Sequence, residues 1–274
     1  MRFDFVTIFP DFFSGPLDHG VVSRAIRSGL VQVQAHDLRS FTHDRHRTVD
    51  DRPFGGGEGM VLKPEPLFDC LETLGLAPRA ERLAQPPARE SVVLLSAQGL
   101  PFTQAVAAEL ATLDRVVFVC GRYEGVDERI NDLLCDRELS IGDYVLSGGE
   151  LGALVILDAV VRLLPGVLGN PDSARHESFG AQDAGPAFLP GEVPPSTHGS
   201  GGLLDYPHYT RPADFRGLKV PEVLQQGNHV DIRRWRRQRA LEKTFRNRPD
   251  LLARATLTDA DRRFLATLEA RETY

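Results

Sequence analysis

The segment "LSIGDYVLSGGE", Leu139 to Glu150, decides how the rest of the chain is read. Its apolar residues sit where a buried strand would place them. Yet Gly142, Gly148 and Gly149 loosen the backbone, and Asp143 and Glu150 put carboxylates into it. A segment that only fills a core gains nothing from such freedom, which costs conformational entropy on folding. It reads instead as a turn between a strand and a helix that brings main chain close to a ligand. The helix follows at once: "ELGALVILDAVVRLL", Glu150–Leu164, is apolar nearly all round and is stopped by Pro165-Gly166. Such a helix is buried against a sheet or a second subunit. Ser147 and Glu150 also have the spacing of a capping box. That explains those two residues and leaves Gly142 and the "IGDY" turn unexplained.

Working outward, strand-like runs occur at Phe3–Ile8, Leu30–His36, Ser91–Ser96 and Val116–Cys120. Val92–Leu95 and Val116–Val119 are continuously apolar, as in strands covered on both faces of a parallel sheet. Helical patterns alternate with them at Leu17–Arg27, Glu65–Leu74, Thr103–Leu113 and Val126–Leu134. Strand–helix alternation predicts an α/β domain over residues 1–168. The stretch Gly180–Gly202 has six Gly, four Pro and no Lys or Arg, so residues 169–204 read as a flexible linker. Residues 205–274 read as a small helical domain, with helices over Asp231–Phe245 and Thr258–Glu272. In the latter, Thr258 or Asp259 suits the N-cap, and Phe264, Leu265 and Leu268 form a stripe.

With 274 residues the chain can bury one large core or two modest ones. No run approaches 18 apolar residues, so no membrane span is expected. The start, "MRFDFVTIFP", reads as a strand and not as a signal peptide. Three scattered cysteines, Cys70, Cys120 and Cys135, argue against a disulfide framework and for a reducing cytoplasm. No CxxC pair or His/Cys cluster points to a metal. The net charge of −6 hides an asymmetry: Val230–Arg248 holds eight Lys or Arg and two acids. A basic element in an acidic chain suits a polyanion, or is a solvated helix face; charge alone does not choose.

Two further stretches could carry chemistry. "RPFGGGEGMVLKP", Arg52–Pro64, has a glycine triplet but no following GK[ST], so it is no Walker A loop. It is a flexible surface loop or a close backbone approach to a ligand. "CGRYEGVDERI", Cys120–Ile130, follows an apolar strand, where α/β folds bind ligands; its Glu124, Asp127 and Glu128 also suit a helix entry. Three glycine-bearing turns at strand ends suggest one shared pocket. The absence of GxGxxG disfavours a Rossmann dinucleotide site.

Taken in order, "RPFGGGEGMVLKP", "LLSAQG", "CGRYEGVDERI", "IGDYVLSGGELGALVILDAVVRLLPGVLG", "GLLDYPHYTRP", "VPEVLQQGNH" and "IRRWRRQRALEKT" resemble the bacterial tRNA (guanine-N1)-methyltransferases, the TrmD family. The resemblance runs from Met1 to about Leu252. It implies a cytoplasmic homodimer of the SPOUT class: a parallel sheet with a C-terminal trefoil knot, plus a small helical C-terminal domain that binds tRNA. It implies methyl transfer from S-adenosylmethionine to N1 of guanosine 37 in the anticodon stem-loop, with Mg2+ as an accessory ion. Gly121, Ile141, Gly142, Asp143, Tyr144, Val145 and Leu146 would line the donor pocket, Glu124 would lie near the target base, and Arg162 would serve catalysis. Arg162 also suits a plain helix C-terminus. Ala97 stands where the family has proline. The family's "EDSF" reads His176-Glu177-Ser178-Phe179, so the implied general base is Glu177, followed by a longer linker. Asp205 is the alternative. Arg233, Arg234, Arg236, Arg237 and Arg239 would meet tRNA phosphates from one helix, held down by Ile232, Trp235 and Phe245. Rival readings are a non-catalytic tRNA-binding protein and a SPOUT ribose 2′-O-methyltransferase.

Overall fold

The apolar runs become the centre of a five-stranded, all-parallel sheet. The computed structural model describes residues 1–84, 89–169, 177–180 and 201–272. Its elements begin with β1 (Arg2–Thr7), α1 (Ser14–Leu17), α2 (Gly20–Arg27), β2 (Gln32–Asp37), β3 (Asp50–Asp51), β4 (Val61–Leu62), α3 (Pro64–Thr73) and α4 (Arg79–Leu83). They continue with β5 (Glu90–Pro101), α5 (Gln104–Leu110), β6 (Arg115–Cys120), α6 (Glu128–Leu134), β7 (Arg137–Ser140) and α7 (Glu150–Val161). Strand order is β2-β1-β6-β5-β7, every pair parallel.

Alternation along the strands builds two cores. Val93, Leu95, Val116, Phe118 and Cys120 pack on one face with residues of α2, α5 and α7. Val92, Leu94, Val117 and Val119 pack on the other with α3 and α6. Successive side chains point to opposite faces, so a strand buried on both sides has no polar positions to spare. Two features differ from the sequence reading. The run at Ser91–Ser96 extends to Pro101, with an irregularity between Leu95 and Leu100 where it meets β7. β7 lies outside the expected strands; it ends at Ser140, so residues 141–149 form the expected turn between strand and helix, with Tyr144 and Val145 exposed.

The chain divides into two compact units, Met1–Gly169 and Asn170–Tyr274. The second contains β8 (Asp214–Phe215), β9 (Leu218–Lys219), α8 (His229–Asn247), α9 (Pro249–Leu252) and α10 (Asp259–Glu272). Its core joins Leu203 and Leu241 to Leu265 and Leu268, with Phe245 and Phe264 against them. Thr258 Oγ1 accepts from Asp261 N–H and Asp261 Oδ2 accepts from Thr258 N–H, a reciprocal cap that starts α10. Ile232 and Trp235 are not part of this core. Trp235 instead lies 6.1 Å from the Tyr209 ring, so only Phe245 of the three expected anchors holds α8 there. Among the described residues no helix is long and apolar enough to cross a membrane.

Candidate active site

A cavity of about 280 Å3 opens at the carboxyl ends of β5, β6 and β7. Its walls are Leu94–Gln98, Gly121–Val126 and much of the loop after β7. Neighbouring parallel strands whose loops splay apart at one end make this kind of crevice. The loops after β6 and β7 are tied together: Gly149 N–H donates to Gly121 O at 2.9 Å, and Arg122 pairs with Gly148 in an antiparallel bridge. A Cβ on Gly149 would lie 2.8 Å from Cys120 Cα, so only glycine lets α7 start against the end of β6.

Of the residues expected at a donor pocket, Gly121, Ile141, Gly142, Tyr144, Val145 and Leu146 line the cavity, as does Glu124. Asp143 does not; it is exposed. Gly142 lines the cavity and also makes room for Tyr144. Its φ is +153°, and a Cβ there would sit 2.5 Å from Tyr144 Cε1. The clearance is needed by Tyr144, whose ring folds back so that its hydroxyl donates to Ile141 O at 3.2 Å. Ser140 Oγ fixes the same turn by donating to Gly142 O and accepting from Gly142 N–H.

The capping box at Ser147 and Glu150 does not form: α7 starts after Gly149 with no side-chain cap. Glu150 is buried, 1% exposed, and turns inward. Its carboxylate pairs with Arg122 at 2.9 Å and accepts from Thr7 Oγ1 at 2.7 Å. Arg122 also donates to Ser147 O at 3.1 Å and lies 4.6 Å over the Phe9 ring. This cluster pins β1, β6 and α7 beside the cavity. Sequence reading missed it; its only signal was an acid in the first turn of an otherwise apolar helix. Burial pushes the Cys120 thiol well above its ordinary value, with the Glu150 charge adding to it, so the cysteine at the cavity's edge is no nucleophile.

The stretch that follows the glycine triplet is tied to a wall of the cavity, although the triplet itself does not line it. Glu124 N–H donates to Met60 O at 3.0 Å, and Leu62 bridges in parallel to Val126. Arg162 lies elsewhere. It follows α7, in which Gly152 walls the cavity, so it stands about 15 Å away along the helix axis.

In the second unit, Glu177 and Asp205 lie on neighbouring segments. Phe179 N–H donates to Leu203 O, and Ser178 Oγ accepts from Asp205 N–H at 2.9 Å. Both Asp205 oxygens are engaged, Oδ1 by Tyr206 N–H at 2.8 Å and Oδ2 by His208 Nε2 at 2.9 Å. His176 lies outside the described residues. The arginines of α8 do not share one face. Arg237 turns inward to pair with Asp261 at 2.9 Å, Arg239 pairs with Glu242, and Arg236 lies 4.9 Å over the Tyr206 ring. Arg233 is half-buried, and Arg234 is exposed. At a spacing of 100° per residue, five arginines within seven positions surround a helix. Among the described residues no group of three or more His, Cys, Asp or Glu is arranged to hold a metal ion.

A parallel α/β sheet with a glycine-walled cavity at its carboxyl edge defines a small-molecule-dependent enzyme of the open α/β class. Comparison with known proteins narrows this. The family described as tRNA (Guanine-1)-methyltransferase TrmD matches residues 1–254. A tRNA (guanine-N(1)-)-methyltransferase of Koribacter versatilis (strain Ellin345) is 63% identical over 270 residues, covering 98% of this chain and 99% of the relative. Proteins of the same name from Moorella thermoacetica (strain ATCC 39073 / JCM 9320) and Geobacter metallireducens (strain ATCC 53774 / DSM 7210 / GS-15) are 52% and 50% identical, with at least 98% of each chain covered. The chain belongs to the tRNA (guanine-1)-methyltransferase family TrmD, and is an enzyme of that class.

Proposed function

We propose that this chain transfers the methyl group of S-adenosylmethionine to N1 of guanosine 37 in tRNA, as a homodimer. The observation that carries the reading is the strand-end cavity and its make-up. It opens at the strand ends, glycine at Gly121 and Gly149 leaves main chain within reach, and Leu95, Ile141 and Leu146 offer apolar faces to an adenine. Glu124, Glu128 and Glu138 among its walls suit a cationic ligand. When bound, the donor supplies an electrophilic methyl on positive sulfur. The loops after β6 and β7 belong to the trefoil knot in this reading; their cross-bridges through Gly121–Gly149 and Arg122–Gly148 support it.

Guanine N1 carries a proton at neutral pH and must release it as the N–CH3 bond forms and the S–CH3 bond breaks. A carboxylate within hydrogen-bond reach accepts that proton. Glu177 is the preferred candidate by its place in the family's motif, with Asp205, whose oxygens hold Tyr206 and His208, as the alternative. Arg162 offsets the charge that develops on O6. Its place at the far end of α7 puts it out of reach of its own protomer's cavity, so it serves the partner's. The outer face of α7 supports that arrangement: Leu151 and Val155 are each 49% exposed there. Mg2+ belongs to the same reading, though no described cluster would hold it and no step runs through it. The tRNA is held through the second unit, with Arg233 and Arg234 on phosphates.

The test is methyl transfer to an anticodon stem-loop. Glu177→Gln should lower kcat at least about 100-fold, the low end of general-base catalysis, with donor affinity unchanged. Asp205→Asn should act mainly on RNA affinity. The reverse pattern would make Asp205 the base. Full activity from a monomer by light scattering would refute the shared site.

A further inference from the structure

The chain places one aromatic side chain fully in water, on a hairpin tied to a turn that lines the cavity. Phe54 is 102% exposed at the tip of the hairpin formed by β3 and β4. The hairpin is anchored. Val49 and Leu62 are buried in the core, and Lys63 N–H donates to Val49 O at 2.8 Å. Leu62 N–H donates to Gly125 O, and Glu124 N–H donates to Met60 O, each at 3.0 Å. The base of the hairpin and the return arm of its loop are thus fixed to the turn that walls the cavity. The tip between them is shaped by Gly55, Gly56 and Gly57, with φ of +87°, +77° and +128°, values that L side chains rarely adopt. Packing a phenylalanine ring away from water is favourable, and here an anchored loop forgoes it.

Arginines and carboxylates alternate along this stretch, with Asp44, Asp50, Asp51 and Glu58 among three arginines. Arg45, Arg47 and Arg52 are exposed on the same hairpin or the turn leading into it. The nearby carboxylate of Asp44 is occupied by Thr48 and His46, and that of Asp51 by the N–H of Arg52. An exposed aromatic face on a loop that also carries arginine is chemistry that receives an unpaired base and its phosphate. Bringing a guanine N1 into a walled cavity also requires that base to leave its stack. Its neighbour then loses a stacking partner. We propose that Phe54 takes that partner's place, stacking on the nucleotide that flanks the target guanosine, with Arg52 on the adjoining phosphate. This rests on the tRNA-methyltransferase reading above. Phe54 is a positioning residue; it touches no reacting atom.

The test uses the full-length protein and an anticodon stem-loop carrying 2-aminopurine beside the target guanosine. Stacking on Phe54 quenches the probe. Phe54→Ala should abolish that quench and raise the KM for RNA roughly 5- to 150-fold, the range of base–aromatic stacking. Its kcat at saturating RNA and its affinity for S-adenosylmethionine should stay unchanged, and Phe54→Trp should restore both quench and KM. An unchanged quench and KM in Phe54→Ala would overturn the proposal. So would a variant that loses RNA because light scattering shows it dissociated, since Phe54 would then be a subunit contact. The methyl-transfer reading fails separately: a wild-type protein that quenches the probe through Phe54 but never methylates it would refute the chemistry and leave the stacking platform standing.

Discussion

Removing Arg122 should destabilise the first unit more than any other single change near the cavity. Glu150 is 1% exposed, and Arg122 is its only charged partner in the cluster. Arg122→Ala leaves that carboxylate buried with only the Thr7 hydroxyl. Breaking a buried pair in this way costs about 3–5 kcal/mol, and at roughly 2–4 °C per kcal/mol for a domain of this size the melting point should fall by about 6–20 °C. The same change frees Ser147 O and uncovers the Phe9 ring, so the loop after β7 loses an anchor and donor affinity should fall too. Arg122→Lys keeps a charge but not the fork that reaches Glu150 and Ser147 together, and should recover only part of the loss. Arg122→Met with Glu150→Leu removes both charges and should be more stable than Arg122→Ala alone. Thermal unfolding followed by circular dichroism, with calorimetric titration of the donor, measures both effects. A loss below about 1 kcal/mol for Arg122→Ala, or strictly additive costs in the double mutant, would refute the argument.

Gly142→Val should weaken donor binding in calorimetry while the protein stays folded. Its backbone strain is about 1–3 kcal/mol, and adding Tyr144→Ala should recover part of the affinity if the clash with that ring is the cause. Burial alone would raise the Asp4 carboxyl, but hydrogen bonds from His36, Arg2 and Arg115 overcome it and hold the group well below the usual range. Its stabilising contribution is therefore complete above the unfolded value of about 3.9 and is lost as pH falls below it. Asp4→Asn should be less stable at pH 7 and should lose stability less steeply between about pH 5 and 2, as urea titrations at each pH would show. Arg234→Ala should weaken tRNA binding and lower the salt slope by about one. Arg237→Ala should instead lower the unfolding midpoint of the second unit, because its guanidinium is committed to Asp261.

The parallel sheet was legible because Val92–Leu95 and Val116–Val119 admit no polar position, and only strands covered on both faces are written that way. β7 was not, because "RELS" carries two charges in four residues and earns its place only by pairing with β5. The extension of β5 to Pro101 was hidden for a similar reason: "AQGLP" has the composition of a loop. Two of the three glycine-bearing turns, those after β6 and β7, do wall the cavity; the Arg52–Pro64 turn does not line it. The cluster that braces those walls was not legible, since Thr7, Arg122 and Glu150 are 143 and 28 residues apart in sequence and only the fold brings them together. The helix of arginines shows the opposite error. Eight cations in nineteen residues were countable, but a count does not show that Arg237 and Arg239 already have carboxylate partners within the same unit.

Helix α7 gives the argument for a site made by two chains. Its start must be tight against β6, and Gly149 supplies that closeness, while Gly149 and Gly152 help to wall the cavity. Its inner face, Ala153, Ile156, Leu157, Val160 and Val161, is wholly buried in the first core. Its outer face is not, and runs Leu151, Val155, Asp158, Arg162 at the spacing of one helical side. A monomer would leave two large apolar residues in water and hold the cavity and Arg162 about 15 Å apart. A two-fold partner laid antiparallel on that face would cover Leu151 and Val155 and, in the same step, carry each Arg162 toward the other chain's cavity. One helix then answers both the hydrophobic exposure and the missing cation. A mechanism confined to one protomer has to explain each of them separately.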